Sequence, residues 1–153
     1  MAEPNYAGNI IVNLASLPDF LRKPILKKRM VEFFDLPEDE KVRVISNALE
    51  AGPDIPFPNF SKLFKTWLEI LATLPAEQRK GLFGAYIDAV AQSPEKLIRF
   101  HLDGILEIFL MMNNEEKKII SHTIVNIINM LSEEKRRIIL LLIPDNAKKQ
   151  LGI

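Results

Sequence analysis

Apolar side chains along this chain recur three and four residues apart, and no segment shows the strict alternation of a half-buried strand. The clearest stretches are Val44, Ile45, Ala48 and Leu49, and then Leu63, Phe64, Trp67, Leu68 and Leu71. This spacing lays one apolar stripe along a helix of 3.6 residues per turn. The pattern predicts an all-α fold.

The stripes themselves repeat. From Leu17 to Lys149 the chain divides without a gap into seven blocks of 19 residues. The second position of successive blocks holds Pro18, Pro37, Pro56, Pro75, Pro94, Asn113 and Ser132. Each of these residues suits a helix start. Proline has its φ already set, and Asn or Ser accepts a bond from an otherwise unpaired N–H. Carboxylates follow closely, as in Glu38 to Glu40, Glu77, Glu95, Glu115 and Glu133, where the positive end of the helix dipole favours them. Asn113 and Glu116 have capping-box spacing. The reading is about seven helices, one per block, in a single helical-repeat domain over residues 17–153. Residues 1–16 form an N-terminal segment with a partial helix from Tyr6 to Ser16. Gly52 and three prolines between Ala51 and Phe60 predict the longest loop there, with the second helix ending early and the third starting late.

The blocks alternate. Their sixth position is Lys41, Arg79 and Lys117 in even blocks but Phe60 and Ile98 in the third and fifth, which gives a pair period of 38 residues. Antiparallel helix pairs of about this length, joined by short Pro-marked turns, resemble HEAT-type repeats. The opening Leu74-Pro75-Ala76-Glu77-Gln78-Arg79 also resembles the helical cytosolic domain of magnesium transporters and the armadillo-like domains of the flagellar switch. The resemblance implies an antiparallel helical array, an α-solenoid, that binds partners along an extended surface.

Composition narrows the function. Twenty Lys and Arg balance twenty Asp and Glu, so bulk attraction to polyanions is not expected. The chain contains no cysteine, which removes disulfides, thiolate metal sites and Cys nucleophiles and suits a cytoplasmic protein. No export signal or membrane span is read. The longest apolar run, Ile138 to Ile143, has six residues, against about 20 for a spanning helix.

No catalytic constellation, cofactor motif or metal site is read. His101, Asp103 and Glu107 are the nearest approach to a metal set, but His101 and Asp103 point about 200° apart on a helix, and a core or groove histidine is the plainer reading. The chain is therefore expected to be a non-catalytic protein-interaction or scaffold module. Its partner-binding residues would be Ile55, Phe57 and Phe60 of the Pro-rich loop. The C-terminal helix would contribute Ile139, Leu141 and Leu142, because Ile138 to Ile143 is apolar around its circumference and needs a cover, from a second copy, a partner or the chain itself. The alternative is binding to nucleic acid or an anionic surface through the basic first block, with Arg22, Lys23, Lys27, Lys28 and Arg29 as the patch; by charge balance nucleic acid is the less favoured of these. Met111, Met112 and Met130 read as core filler.

Overall fold

The computed structural model describes the backbone of residues 6–153 and the side chains of residues 10–153. The described backbone is helical, with no strand. The N-terminal segment forms α1 (Tyr6–Ala15). The seven blocks give α2 (Asp19–Phe33), α3 (Glu38–Ala51), α4 (Phe57–Thr73), α5 (Ala76–Gln92), the pair α6 (Glu95–Ile98) and α7 (Leu102–Leu110), α8 (Asn114–Met130) and α9 (Glu133–Leu142). A last helix, α10 (Asp145–Leu151), follows. None of these helices is long and apolar enough to cross a membrane.

The second column of the repeat is the N-cap column. Pro18, Pro37, Pro56, Pro75, Pro94, Asn113 and Ser132 cap α2, α3, α4, α5, α6, α8 and α9 in turn. The Asn113 side chain accepts the Glu116 N–H at 2.8 Å, and the Ser132 hydroxyl accepts the Lys135 N–H at 3.3 Å. Proline caps offer no side-chain acceptor, and those helices start on fixed φ alone.

The sixth column explains how successive helices are tied. Arg22, Arg79 and Arg136 each reach back five residues and donate to the carbonyl of block position one: Leu17, Leu74 and Leu131. Leu17 and Leu74 precede a proline, which holds them extended and leaves that carbonyl outside any helix ladder. Arg22 and Arg136 also donate from Nε to Leu14 and Ile128, at 3.1 and 3.2 Å. The guanidinium thus closes the turn that the proline opens.

Helices two blocks apart pack on each other, as do some three apart. On one side α2 packs on α4 and α4 on α7; on the other α3 packs on α5, and α5 on α8 and α9. These pairings give two rows of helices, bridged where α4 packs on α8; α1 lies against α3 and α4, and α10 against α8. The core lies between the rows, built on Ile45, Leu68, Ile70, Leu71 and Ile120, each 0–2% exposed.

Two local expectations are corrected. The stretch after Ala51 is the longest connection between successive α-helices, and α3 ends early as expected, but a 3-10 turn over Gly52–Asp54 fills most of it and α4 begins at Phe57, no later in its block than α2, α3 or α5. Prolines at the starts of helical turns are compatible with helix, and Gly52 has φ −53°, not the left-handed value of a helix stop. What Gly52 provides is room, since a Cβ there would overlap the Phe100 ring. The fifth block is not one helix. It breaks at Arg99 to His101, where His101 takes φ −80° and ψ 88°, and the break sets Phe100 against Phe60 at 5.5 Å and His101 against Phe57 at 5.0 Å between ring centroids. His101 is accordingly exposed and not in the core.

Candidate functional site: an apolar cavity between the helix rows

The rows meet where α4 packs on α8 but leave space beside that contact. Between them lies a partly open cavity of about 650 Å³. Leu26, Met30, Leu63 and Leu68 line it from α2 and α4, Ile45, Ala48, Leu82 and Val90 from α3 and α5, and Leu14, Ile139 and Ala147 from the helices at its ends.

Its most distinctive wall is aromatic. On α4, Phe57, Phe60, Phe64 and Trp67 follow one another along a single face, with ring centroids 6.3, 5.6 and 5.9 Å apart. From α5, Phe83 and Tyr86 meet Trp67 at 5.6 and 5.4 Å, the tyrosine edge-on at 82°. Phe60, Phe64, Trp67, Phe83, Tyr86 and Phe100 all line the cavity and are all half-buried, the exposure of a ring with protein behind it and open space in front. The helical period of the α4 residues was visible in the sequence. That they face a gap was not, because the same stripe would serve a filled core.

Polar groups in the lining are few. Arg29 and Glu32 of α2 pair with each other at 3.2 Å and are about half exposed, 53% and 47%, which places them at the rim. The other lining residues that carry a polar side-chain group are Tyr86 and Trp67. Burial pushes the Tyr86 hydroxyl up to about 12 from the ordinary 10.0. Neither Tyr86 nor Trp67 has a hydrogen-bond partner among the described residues, and neither polar atom is sealed off, since no enclosed side-chain N or O lacks a partner. No group of three or more His, Asp or Glu with the spacing of a metal site occurs among the described residues.

The residues put forward from sequence separate. Ile55 and Ile139 are buried, 6% and 5% exposed, and are unavailable to a partner: Ile55 caps the end of the 3-10 turn and Ile139 lines the cavity. Phe60 and Leu142 also line the cavity. Phe57 stands at its edge, 38% exposed, and Leu141 is 79% exposed. In the basic patch, Arg22 is buried at 2% exposure and engaged with carbonyls, whereas Lys23, Lys27, Lys28 and Arg29 are exposed. Met112 is core, but Met111 and Met130 are 71% and 78% exposed.

Set against family models, curated proteins and solved structures, the chain gives no match.

Proposed function

We propose that the chain is a non-catalytic binding module: a short HEAT-like array of helix pairs whose site is the cavity between its rows, and whose ligand is a small, largely apolar molecule. The cavity carries the reading. Protein interiors are packed like molecular crystals, with few voids larger than a water. The apolar wall of this opening, about 650 Å³, forgoes packing partners and burial wherever it is left to water, a penalty that grows with its area. Water gains little there, because it would find few partners. An apolar ligand offsets the penalty, and the volume falls within the roughly 300–1,000 Å³ of ligand sites. A protein partner fits less well, since four of the six residues put forward for contact are buried or face the cavity.

The test uses N-phenyl-naphthylamine, which fluoresces in apolar surroundings. Saturable binding near one per chain is expected, reduced at least tenfold by Ala48→Phe or Val44→Trp, which place rings in the cavity. Both variants are checked for a native-like helical spectrum and cooperative melt. No enhancement, or enhancement that both folded variants retain, contradicts the reading.

A second surface has its own support. The outward side of α2 presents Phe20, Leu21, Ile25 and Val31, 75%, 41%, 39% and 43% exposed, beside Lys23, Lys27 and Lys28, none of which is paired among the described residues. Mixed apolar and cationic residues on an exposed helix suit an anionic bilayer, where side chains insert and lysines meet headgroups. Vesicles with anionic lipid are expected to sediment the chain, and those of neutral lipid are not. Lys27→Glu with Lys28→Glu should abolish the effect; binding to duplex DNA but not to vesicles would overturn it.

A further inference from the structure

The mouth of the cavity is marked by its own lining. Among the described lining residues, Arg29 and Glu32 are the two that are exposed, and every other is buried or half-buried. Both lie on α2, the helix that also carries the exposed Lys23, Lys27 and Lys28. At about 100° per residue, Leu21, Ile25, Arg29 and Glu32 fall within about 80° of one another, along one edge of α2. The face beside that edge is the buried one, with Leu26, Met30 and Phe33. Leu21 and Ile25 are 41% and 39% exposed, so the rim runs on into apolar side chains open to solvent. We propose that the cavity opens at the surface of an anionic bilayer and exchanges its apolar ligand directly with it, α2 docking and Leu21 and Ile25 forming the path to the mouth. This rests on both readings above, the cavity as a site and α2 as the membrane-facing helix.

Three features support this route. An apolar molecule leaves a bilayer slowly through water, because its whole surface is hydrated on the way, and a mouth beside the membrane removes that step. Arg29 and Glu32 pair with each other at 3.2 Å, so the rim presents no net charge to what passes it. Lys23, Lys27 and Lys28, unpaired among the described residues, supply an attraction to anionic headgroups that grows with each lysine and is screened by salt.

In the test the chain is loaded with N-phenyl-naphthylamine and mixed rapidly with vesicles carrying a lipid-linked energy acceptor, so that loss of probe emission times the transfer. With anionic vesicles the rate is expected to rise in proportion to vesicle concentration, to roughly tenfold that with neutral ones, and to fall in high salt. Val31, 43% exposed, lies about 120° round the helix from Ile25 and serves as the control. Ile25→Glu should slow transfer to anionic vesicles several-fold more than Val31→Glu, with the affinity for the probe unchanged in both. Ile25→Ser and Val31→Ser give the same comparison if a glutamate variant lacks a native-like helical spectrum. A rate independent of vesicle concentration, the mark of release through water, overturns the proposal, as does equal slowing by the two variants. A chain that takes up no probe before mixing refutes the cavity reading and the proposal with it. One that holds the probe but does not sediment with anionic vesicles refutes the docking role of α2 and leaves the cavity reading standing.

Discussion

Arg22 shows why a residue's charge is a poor guide to its task. As sequence it is one of five cations in the first block, yet it is 2% exposed, paired with Asp19 at 2.5 Å and bonded to the carbonyls of Leu14 and Leu17. The signal existed: Arg22, Arg79 and Arg136 share a column three blocks apart. Its meaning was hidden, because nothing in a linear reading says that position six reaches position one across the Pro turn. Arg22→Met should lower stability by about 2–3 kcal/mol, through carbonyls left without a charged donor, read as a shift of the urea midpoint. Lys27→Glu, on an exposed side chain, should move it by less than about 0.5 kcal/mol. Tyr86 gives a second residue-scale prediction. Its hydroxyl is held at about 12 in the fold against 10.0 when unfolded, so the unfolded chain loses its proton first as pH rises. The stability tied to this group is complete below pH about 10 and declines between about 10 and 12, by roughly 2–3 kcal/mol in all. Because the chain has two tyrosines, the measurement is the difference between the alkaline stability profiles of wild type and Tyr86→Phe. Identical profiles would contradict the placement of the hydroxyl.

At the scale of the element, helix starts were legible because they are governed by local chemistry: a fixed φ at proline, or a side-chain acceptor at Asn113 and Ser132. Helix ends and breaks were not. The fifth block opens with Pro94 like its siblings, yet breaks before Leu102, in a place set by rings of α4 packing on Phe100, His101 and Gly104. Those are contacts across some forty residues of sequence. The helix α9 shows the same limit. Its run Ile138 to Ile143 is apolar all round, but the chain covers it unevenly: Ile139 is buried, Ile138, Leu140, Leu142 and Ile143 are half-buried, and Leu141 alone of the six is exposed. Packing of α9 on α5 and α8 supplies the cover. Ile139→Ala should therefore cost about 2–4 kcal/mol, while Leu141→Glu should leave the melting temperature within a few degrees. A large loss in Leu141→Glu, with a fall in sedimentation coefficient from a dimer to a monomer value, would show instead that a second copy covers this helix.

For the whole molecule, the 19-residue period specifies a succession of helices with apolar faces but not the distance between the rows they form. Leu63, Phe64, Trp67 and Leu68 would read identically above a filled core and above a gap. The gap depends on which helices pack together across the assembled chain, not on the pattern within one block. The central claim is that this gap is a binding site, and the most direct measurement is the anomalous diffraction of crystals grown with bromododecane. A bromine peak is expected between α4 and α5, beside the rings of Phe64, Trp67 and Phe83, with the gap between the rows open as described. Rows closed onto each other with no peak between them, or bromine only on the outer side of α2, would contradict it.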